Sequence, residues 1–121
     1  MNFENIAIGI DIENIERFKG KAIEKDVHFF NLIFTSKELE YCLKKLNSAQ
    51  HLCGRFCAKE AIVKALTPLE ITDVLYNEIE VLNTENGYPV AKIEKYPNIN
   101  IKISISHNKD YATANAIVIK E

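Results

Sequence analysis

The sequence has no long apolar run and no basic leader. Hydrophobic residues make up 47% of its 121 residues, yet no stretch approaches the ~18 consecutive apolar residues that a bilayer-spanning helix requires. The N-terminus shows no basic region followed by a long apolar segment. We therefore expect no signal peptide and no association with a membrane.

Cysteine is scarce, and its three residues are an odd number, which argues against a disulfide framework. Cys53 and Cys57 lie one helical turn apart and offer two metal ligands, but no second cysteine pair or nearby histidine pair completes a site. We therefore interpret the cysteines as core residues. A reducing compartment follows, and the expected location is the cytoplasm.

An excess of positive charge is also missing, because the formal net charge is −2. A nucleic-acid partner is therefore not expected. One short segment is locally basic, with four cationic side chains against the single acid Glu24; the cations are Arg17, Lys19, Lys21 and Lys25. This pattern fits either a docking surface for an acidic partner or the solvated face of a helix.

Internal repeats, low-complexity tracts and linkers are absent as well. Residues 1–121 are therefore predicted to form one domain. A chain of this length buries one modest core, and assembly into an oligomer would add to it.

The first half of the chain predicts one strand followed by helices. In the strand Asn5–Ile12, Ala7, Gly9 and Asp11 share a small-residue face that another element can approach closely. The segments expected next are a helix from Glu13 to Lys25, an apolar cluster over 29–34, a helix from the capping box Thr35–Glu38 through Leu46, and a helix over Ser48–Leu66 capped by Ser48.

The longest helix carries a carboxylate inside an apolar stripe. Cys53, Phe56 and Val63 share one face with Glu60, because successive members of this series are three or four residues apart. A carboxylate in such a stripe is costly unless it is paired. Either Lys64, one turn further on, forms an ordinary ion pair with Glu60, or Glu60 has a functional partner elsewhere.

The second half changes to the periodicity of strands. Strands are expected over 78–83 and 88–95, joined by an Asn-Gly turn that favours positive φ at both central residues. Two further strands, over 99–106 and 111–120, follow with a turn between them. One strand, several helices and then an antiparallel meander indicate an α+β fold.

Three polar residues stand out: Asp11 and His107 at strand ends, and Glu60 in the helical stripe. Asp11 can instead cap the next helix, and His107 can be a simple turn residue. Two carboxylates from separate elements can hold Mg²⁺, with waters and phosphates as its other ligands, and Lys64 can meet a phosphate as a point charge. The set is typical of phosphoryl transfer.

Short motifs follow one another in a fixed order over nearly the whole chain. They are Gly9-Ile10-Asp11-Ile12 with Ile15-Glu16-Arg17, Phe34-Thr35 with Glu38-Leu39, Gly54-Arg55-Phe56 with Ala58-Lys59-Glu60-Ala61, Lys64-Ala65, Asn86-Gly87 with Pro89, and Ser104-Ile105-Ser106-His107 before Tyr111-Ala112. Together they resemble the holo-acyl-carrier-protein synthases, the small single-domain class of 4′-phosphopantetheinyl transferases.

The resemblance implies an activity, a fold and partners. The family moves 4′-phosphopantetheine from coenzyme A to a serine of apo acyl carrier protein in fatty acid biosynthesis, and it releases 3′,5′-ADP. It needs Mg²⁺, for which Mn²⁺ is an alternative. The family fold is α+β, and its members are homotrimers with active sites at subunit interfaces.

The resemblance also implies roles for single residues. Asp11 and Glu60 would ligate the metal, Glu60 would also be a candidate base for the serine hydroxyl, and Lys64 would stabilise the leaving group. Arg17 would grip acidic residues of the carrier protein. The residues expected to contact coenzyme A are Arg55, Lys64, Asn86, Gly87, Pro89, Ser106 and His107.

One departure from the family pattern follows the long helix. Family members usually have a Gly-Thr-Gly loop there, whereas this chain has Thr67-Pro68-Leu69-Glu70-Ile71. Glycine-rich loops let backbone amides approach phosphates closely. Two alternatives therefore stay open: a non-catalytic relative that binds coenzyme A or a carrier protein, and a small interaction domain whose acids are structural.

Overall fold

The computed structural model describes residues 3–20 and 25–121. Within these residues the α-helices and strands are β1 (Ile6–Asn14), α1 (Val27–Ile33), α2 (Ser36–Leu43), α3 (Ser48–Leu66), β2 (Glu80–Asn83), β3 (Pro89–Lys92), β4 (Ile99–His107) and β5 (Tyr111–Lys120). Short 3₁₀ turns lie at Phe3–Asn5, Ile15–Phe18, Thr67–Leu69 and Tyr76–Glu78. The predicted α+β class is confirmed.

The strands form two antiparallel sheets. In the larger one β5 lies between β1 and β4, and in the smaller one β2 pairs with β3. The predicted meander is wrong in its connectivity, because β3 does not pair with β4 and the two hairpins lie in separate sheets. This order brings the C-terminal ends of β1 and β4 to the same end of the sheet, where the paired residues of neighbouring strands are Glu13, Ala112 and His107.

Helix α3 packs on one face of the larger sheet, where small side chains let it come close. A Cβ atom on Gly9 would lie 1.9 Å from the carbonyl oxygen of Ala61, so β1 requires glycine here. The close approach predicted for the small-residue face of β1 is confirmed. The side chains of β5 that meet the helix are all buried, namely Ala112, Ala114, Ala116 and Val118.

The opposite face of β1 is apolar and uncovered in the single chain. Ile8, Ile10 and Ile12 are 75%, 61% and 64% exposed, and Ile117 of β5 is 44% exposed. Ile117 pairs directly with Ile8, so the four side chains form one patch, here called the isoleucine face. A contiguous apolar patch of this kind marks a surface for association.

The helix predicted over 13–25 is wrong in the described residues. β1 continues through Asn14, which pairs with Tyr111, and only the 3₁₀ turn Ile15–Phe18 follows. The side chain of Asn14 caps this turn by accepting the Glu16 amide at 3.0 Å. Of the basic segment, Lys21 and Glu24 lie outside the described residues.

The helix ends agree with the sequence in part. The capping box is confirmed, since the Thr35 amide donates to Glu38 Oε1 at 2.8 Å and the Glu38 amide donates to Thr35 Oγ1 at 3.3 Å. α2 ends at Leu43 rather than at Leu46, because the chain turns there to begin α3. The bounds of α3 are as predicted, but Asn47 rather than Ser48 is the N-cap residue, and its side chain makes no capping bond.

The β2–β3 hairpin is confirmed, although its strands are shorter than predicted and its turn differs. Gly87 has a φ of +89°, whereas Asn86 does not have positive φ. The Gly87 amide donates to the Thr84 carbonyl at 2.9 Å. The two-residue primed turn is therefore wrong: the turn begins at Thr84, and only its last residue is left-handed.

Aromatic side chains and cysteines complete the core. The Phe18 ring centroid lies 6.2 Å from that of Phe34 and 5.7 Å from that of Phe56. Phe30, Ile33 and Phe34 are buried, so this part of the predicted apolar cluster belongs to the core, whereas Leu32 is 55% exposed. The three cysteines are buried and free, which confirms their interpretation as core residues.

Candidate active site

Three carboxylates converge where β1 meets α3. Asp11 and Glu13 are two residues apart on β1 and so lie on the same side of the strand, and Glu60 comes from α3. One oxygen from each of the three lies within 4.8 Å of the others. Asp11 and Glu60, the two predicted metal ligands, are thus brought together, and Glu13 joins them.

This carboxylate cluster is poorly solvated. Asp11 is 8% exposed, and its buried Oδ2 has no hydrogen-bond partner. The side chain of Glu13 is 14% exposed. Burial raises the pKa of Glu13 and of Glu60, and the negative charge of Asp11 raises both further. Three neighbouring acids therefore favour an added cation.

Two basic side chains lie at the rim of the cluster. Lys64 donates to the Ile10 carbonyl at 3.0 Å, and its Nζ is 3.4 Å from Asp11 Oδ1. Its ion pair is thus with Asp11 and not with Glu60. Arg17 pairs with Glu13 at 2.5 Å. Both basic side chains are about half exposed, at 55% for Lys64 and 51% for Arg17.

Tyr76 reaches the cluster from the turn before β2. Its hydroxyl donates to Glu60 Oε1, and its ring centroid lies 5.7 Å from that of Phe56. Its backbone carbonyl accepts from Lys59 Nζ at 2.9 Å. α3 therefore holds Tyr76 at its ring, its hydroxyl and its backbone, and Tyr76 in turn orients Glu60.

Lys59, the neighbour of Glu60 in sequence, is fully buried in a polar network. Its Nζ lies 2.7 Å from each of three acceptors, Glu38 Oε1 and the carbonyls of Ile33 and Ile79. Burial lowers the pKa of Lys59, and the charge of Glu38 opposes that shift. The network ties α1, α2 and the chain before β2 to the helix that carries Glu60.

Sequence reasoning misses Glu13 and Tyr76 as site residues. The sequence feature that could have identified Glu13 is its position two residues after Asp11, which puts both on one side of a strand. This feature is missed because a helix is predicted to begin at Glu13. No local pattern identifies Tyr76, which lies 16 residues from Glu60 and meets it only through the fold.

A second polar group surrounds Arg55, which is 4% exposed. Its Nη2 donates to the Asn83 side chain, and its guanidinium carbon lies 4.4 Å from the Tyr41 ring centroid. Asn83 donates to the Gly87 carbonyl at 2.9 Å, which links Arg55 to the Asn86-Gly87 turn. Arg55 Nε is buried without a hydrogen-bond partner.

His107 and Ser106 lie at the end of β4, and both are exposed. Nδ1 of His107 contacts the side-chain amide of Gln50, in the first turn of α3. His107 shares a register row with Glu13 two strands away, which separates their backbones by ~10 Å. The structure therefore does not place His107 or Arg55 among the carboxylates. Pro89 begins β3 beside the turn.

The carboxylate cluster fits a hard divalent cation. Mg²⁺ takes oxygen ligands and keeps several waters, so one or two carboxylates suffice. The unpartnered Oδ2 of Asp11 offers a buried oxygen with no competing donor. Asp11 and Glu60, with Glu13 beside them, are the residues that would hold such an ion.

The model of the 4′-phosphopantetheinyl transferase superfamily matches residues 7–116. The chain belongs to this superfamily. The prediction from the sequence motifs is thus confirmed for the family and for the class of transferase.

Individual proteins that are similar to this chain support the same family assignment. Holo-acyl-carrier-protein synthase of Clostridium tetani is 42% identical over 125 residues, covering 93% of this chain and 94% of the relative. The synthase of Protochlamydia amoebophila is 39% identical over 117 residues, covering 93% and 96%. A Bacillus anthracis synthase in complex with coenzyme A (3′,5′-ADP) superposes with a TM-score of 0.78 at 28% identity, covering 95% and 96%.

Within residues 3–20 and 25–121, no helix combines the length and the apolar character that crossing a bilayer demands.

Proposed function

We propose that residues 1–121 act as one domain that transfers 4′-phosphopantetheine from coenzyme A to a serine of apo acyl carrier protein, with Mg²⁺, in cytoplasmic fatty acid biosynthesis. The observation that carries this proposal is the convergence of Asp11 and Glu60 with Lys64 at its rim. The named activity of the relatives and the ligand of the Bacillus anthracis structure support the choice of substrates.

The proposed reaction uses the carboxylate cluster and its rim. Asp11 and Glu60 would hold Mg²⁺, or Mn²⁺ as the alternative, and the ion would supply charge neutralisation for the diphosphate of coenzyme A. Glu60 takes the proton of the serine hydroxyl, directly or through water. The serine oxygen bonds to the phosphorus that carries pantetheine, while the bond from that phosphorus to 3′,5′-ADP breaks. Lys64 stabilises the departing phosphate.

The second polar group is the proposed site for the rest of coenzyme A. Arg55 keeps a buried Nε without a partner, and Arg55, Lys45 and His107 all lower the pKa of His51 beyond the effect of burial. Such a field of positive charge attracts phosphate. The remaining proposed contacts with coenzyme A are Lys64, Asn86, Gly87, Pro89 and Ser106.

Two surfaces support the proposed partners. Arg17, half exposed beside the cluster, would pair with acidic residues of the carrier protein. The isoleucine face supports a homotrimer, because a second copy would cover Ile8, Ile10 and Ile12. Asp11 lies on the other face of the same strand, and β1 is an edge strand of its sheet, so a covering subunit would complete the site by reaching around this edge.

A second candidate is a relative that binds coenzyme A or a carrier protein without transfer. The observation behind it is the segment after α3, where a 3₁₀ turn at Thr67–Leu69 leads into Glu70. Glu70 adopts a left-handed φ of +63°, a conformation that favours glycine. This segment offers a side chain where a glycine-rich loop would offer bare backbone.

An intact-mass measurement tests the proposal. The protein is mixed with apo acyl carrier protein, coenzyme A and Mg²⁺, and we expect the carrier to gain one phosphopantetheine, with no gain in EDTA. Glu60→Gln should lose nearly all transfer, because it removes charge without removing volume. Glu40→Gln, an exposed glutamate of α2 paired with Lys44, is the matched control and should transfer normally.

The outcomes separate the two candidates. Coenzyme A binding without any mass gain on several carriers would favour the binding relative. Transfer by Glu60→Gln at the wild-type rate would remove Glu60 from the site.

A further inference from the structure

We propose that Gln50 is a positioning residue of the proposed coenzyme A site. Its side-chain amide holds the ring of His107, so that the other ring nitrogen presents an N–H donor of fixed direction to a phosphate. The inference rests on the proposed coenzyme A site, to which His107 belongs, and it adds to that site a residue outside the sequence motifs.

Helix α3 and strand β4 bring Gln50 to His107 as the second of two matching contacts. A Cβ atom on Gly54 would lie 3.1 Å from Ile105 Cγ2, so α3 passes closely over β4 at this point. Gln50 precedes Gly54 by one helical turn, which is about 6 Å along the helix axis. His107 follows Ile105 on the same side of β4, about 7 Å further along the strand. The next contact between the two elements is therefore that of Gln50 with His107.

This contact fixes which ring nitrogen of His107 carries the hydrogen. The side-chain nitrogen of Gln50 lies against Nδ1 of His107, and an amide nitrogen can only donate. Nδ1 is therefore the acceptor, and the neutral ring carries its hydrogen on Nε2. The bond also restrains χ2 of His107, a torsion that is otherwise broad. Nε2–H is thus directed away from Gln50.

A donor of fixed direction complements the cations of this region. Arg55, Lys45 and His107 all act on the pKa of His51, so these side chains surround one region of the surface. Cations attract a phosphate from any direction, whereas an oriented N–H determines where one phosphate oxygen lies. His107 is exposed and Gln50 is half-buried, so Gln50 anchors the ring while Nε2–H stays accessible to a ligand.

A double-mutant cycle on coenzyme A binding tests whether Gln50 acts through His107. Dissociation constants of the full chain for coenzyme A are measured by isothermal titration calorimetry. Gln50→Met keeps the length of the side chain and removes the amide. We expect it to weaken binding about fivefold, within what a single hydrogen bond contributes. His107→Ala should weaken binding further, and Gln50→Met added to His107→Ala should have no additional effect.

The tautomer of His107 gives a second readout, which needs no coenzyme A. Two-bond ¹H–¹⁵N correlation spectra at pH ~8.5, above the ordinary histidine pKa, identify the ring nitrogen that carries the hydrogen. We expect Nε2–H for His107 in the wild type. Gln50→Glu sets a carboxylate against Nδ1, and because an ionised carboxylate only accepts, the hydrogen should move to Nδ1. The exposed His28 of α1 is the internal reference and should not change.

Ser48→Ala, in the same first turn of α3, is the matched control and should bind coenzyme A like wild type. A loss from Gln50→Met that is equally large with and without the His107 side chain would overturn the action through His107. A hydrogen that stays on Nε2 in Gln50→Glu would overturn the contact itself. Failure of the wild type to bind coenzyme A would instead overturn the proposed coenzyme A site, and the spectra would still decide whether Gln50 orients the ring.

Discussion

The hydroxyl of Tyr76 is a hydrogen-bond donor to the carboxylate that the proposed reaction needs as a base. A donor to the ionised form of a carboxylate lowers its pKa, so Tyr76 opposes the burial that raises the pKa of Glu60. Tyr76→Phe keeps the ring against Phe56 and removes only this donor. We expect the acidic limb of the pH profile of kcat/KM to move to higher pH.

Tyr96→Phe is the control for that measurement, because the Tyr96 hydroxyl donates to Asp73 at the surface. An acidic limb that stays in place in Tyr76→Phe would show that the hydroxyl does not tune the base.

Glu60 also links activity to stability. Its pKa is raised in the folded chain, so the folded state holds the proton more tightly than the unfolded state does. The stabilisation from the protonated form is complete below the ordinary pKa and is lost as pH rises through the raised one. In EDTA, Glu60→Gln should therefore unfold a few °C above wild type at pH ~7, with the difference vanishing near pH ~4.

Thermal unfolding followed by circular dichroism at both pH values checks this expectation. A Glu60→Gln variant less stable than wild type at neutral pH without metal would contradict the direction of the pKa shift.

At the scale of elements, the contact between β1 and α3 depends on one glycine. A Cβ on Gly9 would lie 1.9 Å from the Ala61 carbonyl oxygen, and backbone atoms of a packed helix cannot move aside cheaply. We expect Gly9→Ala to lower the free energy of unfolding by about 3 kcal/mol or more, at the upper end for overpacking. Urea denaturation measures the change.

Gly54→Ala is the matched comparison on the other element. The nearest atom to its Cβ would be Ile105 Cγ2 at 3.1 Å, which is the end of a side chain. Alanine is also preferred over glycine within a helix by about 1 kcal/mol, so this variant should be close to neutral. A loss as large as that of Gly9→Ala would mean that the sheet cannot adjust near β4.

The Lys59–Glu38 pair joins the elements around α3. Lys59→Met leaves the Glu38 carboxylate buried without its cation, and breaking such a pair costs about 3–5 kcal/mol. The double change Lys59→Met with Glu38→Gln removes both charges and should recover part of that loss. Denaturant midpoints of the single and double variants decide, and equal losses in both would show that packing rather than charge holds the network.

Elements with a strong local pattern are predicted well from the sequence. The bounds of α3, the capping box at Thr35 and the small-residue face around Gly9 are all signalled by nearby residues. The end of β1 is not, because its last pairs are with β5, nearly a hundred residues further on, as in Asn14 with Tyr111. That tertiary pairing overrides the local preference for a helix and brings Glu13 into the candidate site.

The residues of the candidate site are likewise predicted from the sequence only in part. Asp11 and Glu60 are predicted from the motifs, and the fold brings them together. Tyr76 is not predicted, because a hydrogen bond across the fold carries no sequence periodicity. The burial of Arg55 is not apparent either, because Asn83 and Tyr41 come from separate elements.

At the scale of the whole molecule, the isoleucine face decides whether the chain acts alone. Ile8 is 75% exposed on that face, and a charge there would be buried by a partner subunit. Ile8→Glu should convert the proposed trimer to a monomer, as measured by analytical ultracentrifugation. Leu46→Glu, at a fully exposed leucine beyond α2, should leave the assembly unchanged.

If the wild-type protein is a trimer and the Ile8→Glu variant is still a trimer, the interface lies on another surface. A monomeric wild type would contradict the homotrimer itself.

The isoleucine face also has a consequence for how much of the protein a cell must make. Suppose that the site is complete only between subunits. Near the concentration at which the chains associate, the amount of active enzyme then rises more steeply than the amount of chain. Halving expression would then remove more than half of the activity. A chain with an intact face and a defective Glu60 would still complete the site of a normal chain in a mixed assembly, so it would rescue scarce normal chains rather than inhibit them.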